Sequence, residues 1–215
     1  LNTALFYSTF DDFQAQSARE VDGLFVMVLN NVGEMSSKGL EVDVRALLSE
    51  NWMLTGGFAY TKANIESFVG AQCWAGQSAA QGCIDGLQDL SGKEMSNSPD
   101  LKGSFSLEYN KVIADTNLEF FSSLAYQWQS EMFYDLKGDP ESTQGAYGLA
   151  NLNVGVADLD DKYRVTFFVN NLTDQYYSSG YSNFRNFLGN GNEALMHYVS
   201  RGADRYMGVR LRYNF

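Results

Sequence analysis

Residue types that could do chemistry are scarce in this chain and poorly spaced for it. His197 is the only histidine and sits in a Gly/Asn-rich stretch. A Ser-His-Asp triad, an H-E-x-x-H zinc motif or a pair of histidine ligands therefore cannot be assembled. His197 reads as a solvated loop side chain, and no catalytic residue, metal site or cofactor is expected. Cys73 and Cys83 are the two cysteines. With no third Cys and no nearby His, a metal would lack donors, so a loop-stapling disulfide is the favoured reading in an oxidising compartment. Gly189-Asn190-Gly191-Asn192 lacks the Lys-Ser/Thr of a phosphate loop and reads as a turn. The remaining candidates are rings. Trp74, Tyr181, Phe184, Phe187 and Tyr198, with Arg185, lie in Gly/Ser/Asn-rich stretches that are more aromatic than solubility requires. Two readings stay open for them: packing of loop on loop, or stacking on a ligand in an outer vestibule.

Long, regularly patterned elements hold these loops. Both prolines, Pro99 and Pro140, stand in polar stretches, and most of the remaining sequence alternates at period 2. Nine strands are predicted, over 1–14, 22–31, 36–48, 52–65, 100–110, 116–130, 147–158, 162–170 and 205–215, with no helix. Short polar links at 49–51, 111–115 and 159–161 alternate with long ones at 66–99, 131–146 and 171–204. Tight turns at one end and long loops at the other describe an up-and-down antiparallel barrel in a membrane. Links 15–21 and 32–35 depart from that rule. The longest apolar run, Leu24 to Leu29, is far short of the roughly 20 residues of a spanning helix. With 26 acidic against 15 basic side chains and a net charge of −11, nucleic acid is excluded as a partner.

The two faces of the strands differ in chemistry. Leu40, Val42, Val44 and Ala46 oppose Glu41, Asp43 and Arg45. Met207, Val209, Leu211, Tyr213 and Phe215 oppose Arg210, Arg212 and Asn214. Strand 163–169 has a less polar second face, because Phe168 joins Arg164 and Thr166, and the first two strands declare no face. Trp52, Tyr109, Tyr163, Tyr213 and Phe215 fall at the short-turn end of the apolar face; Tyr60, Tyr126 and Trp128 fall at the other. Two ring belts around an aliphatic band are a membrane-interface pattern, which a soluble β-sandwich of similar alternation would not need.

Several stretches, in order, resemble the C-terminal part of the barrel of TonB-dependent receptors. They are Ala4-Leu5-Phe6-Tyr7 through Asp12-Phe13-Gln14, Asn30-Asn31-Val32-Gly33 with Lys38-Gly39-Leu40-Glu41, Ala59-Tyr60-Thr61, Asp89-Leu90-Ser91-Gly92-Lys93 with Asn97-Ser98-Pro99, Asn170-Asn171-Leu172-Thr173-Asp174, and Tyr206 to Phe215. The resemblance implies an all-β, antiparallel transmembrane barrel of 22 strands in the bacterial outer membrane, with a plug and a TonB-contacting segment. Nine strands cannot close such a barrel, so the chain is expected to be the C-terminal portion of a longer one, with plug and N-terminal strands outside it. The implied partners are outer-membrane lipid, the rest of the barrel and plug, TonB, and the barrel-assembly machinery, which would read Val209, Leu211, Tyr213 and Phe215 as its signal. The implied function is import of a scarce solute of the siderophore, vitamin or saccharide class. The alternative is a self-standing small outer-membrane barrel with an adhesion, structural or phospholipase-type role.

Overall fold

The computed structural model describes residues 1–21, 24–183 and 195–215. Within them the chain forms fourteen strands: β1 (Asn2–Val21), β2 (Leu24–Leu47), β3 (Trp52–Ser67), β4 (Val69–Gln72), β5 (Leu87–Asp89), β6 (Leu101–Val112), β7 (Leu118–Gln129), β8 (Met132–Phe133), β9 (Thr143–Gln144), β10 (Tyr147–Asp158), β11 (Tyr163–Asn170), β12 (Gly180–Asn183), β13 (Leu195–Tyr198) and β14 (Tyr206–Tyr213). Eight make one antiparallel sheet in the order β1-β2-β3-β6-β7-β10-β11-β14, every neighbour following the last along the chain. β4-β5, β8-β9 and β12-β13 are small ribbons inside the long loops. The helical segments are single 3-10 turns, Ala79–Gln81 and Pro140–Ser142. Among the described residues β1 and β14 do not pair with one another, so the eight strands form an open sector rather than a closed small barrel.

The sheet holds eight strands where nine were expected, and the difference lies at the N-terminal hairpin. The expected strands 22–31 and 36–48 are replaced by a single 24-residue strand, Leu24–Leu47, and 15–21 extend β1. Link 32–35 is therefore not a turn. Gly33 runs beside β3, where a Cβ would come within 2.0 Å of the Ser67 carbonyl oxygen. Its glycine serves close backbone approach, which composition alone does not distinguish from a turn. A register shift between Glu34 and Met35 accompanies it. With this correction the chain alternates strictly between the two ends.

Pairing places side chains as alternation predicts. Trp52 is opposite Tyr109, Tyr60 opposite Leu101, Tyr163 opposite Tyr213, and Leu5 opposite Leu40. The belts therefore share one face, reinforced by ring contact between Trp52 and Tyr109 at 4.7 Å. β1 also acquires faces: Leu5 joins the apolar side, while Phe6 lies over Gly39 on the polar side. Above Tyr60 the apolar face turns charged, and Lys62 pairs with Glu94 and Asp100.

The short turns are built from residues that tolerate left-handed backbone. Asp115 and Asp161 have φ of 59° and 56°. Asn117 joins neighbouring turns by donating to Asp158 and Asp160 at 2.9 and 3.0 Å. The buried apolar cluster lies under the opposite, long-loop end, where Ile65, Ala71 and Leu90 pack with Phe68, Met95 and Leu136.

Candidate functional site

The long loops are cross-braced by side chains. In loop 68–100 a disulfide joins Cys73 and Cys83, with Cα atoms 5.8 Å apart. Beside it the Trp74 N–H donates to Gln77 Oε1 at 3.1 Å, and Gln77 Nε2 donates to Gln88 Oε1 at 3.0 Å. Gln88 is buried and passes its own amide protons to the carbonyls of Gln72 and Lys137. One amide thus uses both its donors while tying loop 68–100 to loop 130–146. Between these loops lies a hollow of about 590 Å³, walled by Trp74, Leu90, Phe133 and Leu136 with Asp135 and Lys137. Burial pushes the Asp135 carboxyl above the usual carboxylate range, against the opposing pull of the Lys137 N–H and ammonium.

Loop 171–205 docks on loop 130–146 from the other side. In its β12-β13 ribbon Tyr181 pairs with His197 and Gly180 with Tyr198. The Tyr181 hydroxyl donates to Asp139 at 2.7 Å, and Asp139 is fully buried. Ser178 N–H and Oγ both donate to Gln144 Oε1, at 2.8 and 2.7 Å. Tyr177 stacks on Tyr147, centroids 4.8 Å apart. Of the expected vestibule rings, Tyr181 and Tyr198 share one ribbon and Trp74 lines the hollow beyond loop 130–146; Phe184, Arg185 and Phe187 lie outside the described residues. Tyr181 is half-buried with its hydroxyl engaged, whereas Tyr198 is exposed and Trp74 half-buried. His197 is exposed, and its Nδ1 is 3.5 Å from Ser178 Oγ, a hydroxyl already committed to Gln144. Gln88, Asp139 and Gln144, which organise the mouth, carried no signal in the sequence: each works through partners 34 to 49 residues away.

Below the loops the polar face forms a wall with hollows along it, two of them rich in charge. The upper one, about 500 Å³, has Glu41, Asp43, Lys102, Gln127, Gln129 and Tyr147 around it. The lower one, about 560 Å³, is lined by Glu108, Arg164, Arg210 and Arg212. Two rings lie flat on this wall because glycines face them. A Cβ at Gly155 would meet Phe121 Cζ at 2.6 Å, and one at Gly208 would meet Phe168 Cζ at 2.8 Å. On the apolar face Val209, Leu211 and Tyr213 stand exposed along β14, and Phe215 follows with its ring 5.1 Å from Tyr213.

The sheet has counterparts among known proteins. The family described as TonB dependent receptor-like, beta-barrel, matches residues 1–172. The ferric yersiniabactin uptake receptor FyuA from Yersinia pestis superposes with a TM-score of 0.70 at 16% identity, over 99% of this chain and 27% of that one. BauA, the ferric preacinetobactin receptor from Acinetobacter baumannii, gives 0.58 at 18% identity, over 99% and 27%. The copper transporter OprC gives 0.60 at 14%, over 99% and 28%. No curated protein sequence matches. The chain thus spans about a quarter of the length of the solved structures it resembles. It belongs to the TonB-dependent receptor β-barrel family of the Gram-negative outer membrane.

Proposed function

We propose that these residues are the C-terminal barrel portion of a TonB-dependent transporter that captures a scarce solute at its outer mouth and imports it. The plug, the TonB-contacting segment and the N-terminal strands lie in sequence outside the 215 residues, and the missing first strand pairs with β14. The observation that carries the reading is the braced mouth: three loops cross-linked by Gln88, Asp139 and Gln144 hold Trp74 and Tyr198 above a polar lumenal wall. Rings at such a mouth offer apolar area with a polar tip, suited to a solute that must be held before it is passed inward. The solute is of the siderophore, vitamin or saccharide class. The neighbours' names, which include two ferric-siderophore receptors and a copper transporter, favour a metal-bearing cargo without choosing among them. The protein acts as a transporter, in keeping with a family of receptors. Its partners are outer-membrane lipid, TonB and the barrel-assembly machinery that reads the Phe215 end.

The test is uptake by cells carrying the complete receptor, with a panel of ferric siderophores, cobalamin and oligosaccharides. One solute should accumulate in a TonB-dependent manner, and Trp74→Ala or Tyr198→Ala should weaken its binding without lowering receptor level. Accumulation that persists without TonB would refute the reading, as would a complete reading frame with no plug.

A further inference from the structure

Two amide side chains link the walls of the hollow between loops 68–100 and 130–146, and their orientation is forced from both ends. The Trp74 backbone N–H can only donate, so the Gln77 atom it meets at 3.1 Å is Oε1. Gln77 Nε2 then faces two acceptors, the Gln81 carbonyl and Gln88 Oε1, each at 3.0 Å. The other end agrees. The Gln72 and Lys137 carbonyls can only accept, so Gln88 presents Nε2 to both, at 2.9 and 3.0 Å. Neither amide can flip without setting donor against donor and acceptor against acceptor.

The two loops have other means of docking. Leu136 of loop 130–146 packs against the cluster of Ile65, Ala71 and Leu90, and the Asn97 N–H donates to the Phe133 carbonyl at 2.7 Å. Loop 68–100 is closed on itself by the Cys73–Cys83 disulfide. What the amides add is the placement of one ring. Gln77 holds the Trp74 backbone twice, its Oε1 accepting the N–H and its own N–H donating to the carbonyl at 3.1 Å. Through Gln88 that grip is tied to the Lys137 carbonyl on the facing loop. Trp74 and Phe133 border the hollow from the two loops. Its shape on the Trp74 side therefore rests on hydrogen bonds that allow one arrangement, whereas apolar contacts alone tolerate repacking.

We propose that Gln77 and Gln88 are positioning residues that determine which solute the hollow accepts, by fixing Trp74 relative to loop 130–146. This rests on the function proposed above, in which Trp74 contacts the solute. Gln88 borders the hollow and Gln77 does not, so Gln77 acts through Trp74.

The experiment uses the complete receptor in lipid nanodiscs, labelled with 5-fluorotryptophan, the Trp74 fluorine signal being assigned by its loss in Trp74→Phe. Gln77→Leu should shift or split that signal at every pH. Gln77→Glu should do so while the new carboxylate is ionised, because it then sets an oxygen against the Gln81 and Gln88 acceptors. Acid should return the signal toward the wild-type position, since the protonated carboxyl again donates. Gln88→Glu should behave in the same way. Asp89 and Asp135 also border the hollow, and Gln77→Leu carries their titration as the control. In cells given the panel of ferric siderophores, cobalamin and oligosaccharides, Gln77→Leu should raise the half-saturating concentration of the accumulated solute several-fold and change the rate at saturation less. It should also admit panel members that the wild type rejects. A Trp74 signal unmoved by Gln77→Leu would overturn the proposal, as would a moved signal with half-saturation and selectivity unchanged. If Gln88→Glu lowers receptor level, the reversible signal of Gln77→Glu between two pH values still decides the placement. Absence of any TonB-dependent accumulation would refute the function proposed above and, with it, the role in selecting solute, while the fluorine signal would still decide whether the amides place Trp74.

Discussion

Val44 offers the sharpest test of the assignment of faces. It is opposite Gly56 in the β2-β3 register, and Gly56 lies midway along β3 between the belt residues Trp52 and Tyr60. Eight residues at about 3.4 Å each, tilted by about 40°, separate the belts by roughly 20 Å along the membrane normal, close to the apolar band of outer-membrane barrels. Position 44 is thus about 10 Å from either interface, and Val44→Arg would put a charge near the bilayer midplane at a cost of roughly 2–4 kcal/mol. That lowers the folded-to-unfolded ratio by about 30-fold to 1,000-fold. Asp43, the next residue, faces the lumenal wall near Gly57 and Ser104 and makes no ion pair among the described residues. Asp43→Asn should therefore cost less than about 1 kcal/mol. Urea unfolding of the complete receptor in lipid vesicles would measure both. A spin label at 44, but not at 43, should be quenched by lipid-borne probes. Lipid contact at 43 instead, or at neither position, would refute the face assignment and with it the barrel.

Three further outcomes are expected. Mass spectrometry of unreduced, alkylated protein should find a peptide linking Cys73 to Cys83, and complete alkylation of both thiols would contradict the bridge. Deleting Phe215, or changing it to Asp, should lower the amount of complete receptor inserted in the outer membrane; unchanged insertion would remove its role as an assembly signal. Burial raises the Asp135 carboxyl pKa on folding, so the protonated form supports the loop at low pH, and that support is lost as pH rises through the raised value. Asp135→Asn should then flatten the pH dependence of hydrogen exchange in loop 130–146 and slow exchange at neutral pH, and faster exchange at every pH would count against this sign.

The legible part of this sequence is the stretch of sheet between the two ring belts. Between Trp52 and Tyr60, or Leu101 and Tyr109, one face must be apolar and the other wet, and alternation follows directly. Residues 15–21 also form a strand, but they lie past the ring belts and carry no period-2 alternation, so they read as a link. Alternation reports the solvent on each side of a strand and not the strand itself. The loops were less legible because their order comes from single long-range hydrogen bonds, such as Gln88 to the Lys137 carbonyl across 49 positions, which leave no periodic trace.

The one strand whose second face looked insufficiently polar shows how the wall is made. Phe168 breaks the polar run of β11, yet it faces Gly208 on β14 and carries Arg210 above it. Phe121 on β7 repeats the arrangement with Gly155 on β10 and Arg164 on β11. Each ring covers a glycine, whose bare backbone would weaken the strand, and supplies a face that orients a cation. In both cases the ring meets its glycine and its arginine only through register. A lumenal ring here is part of the polar surface: replacing Phe121 or Phe168 by Ser would make the pattern more regular and leave the arginine beside it without its platform.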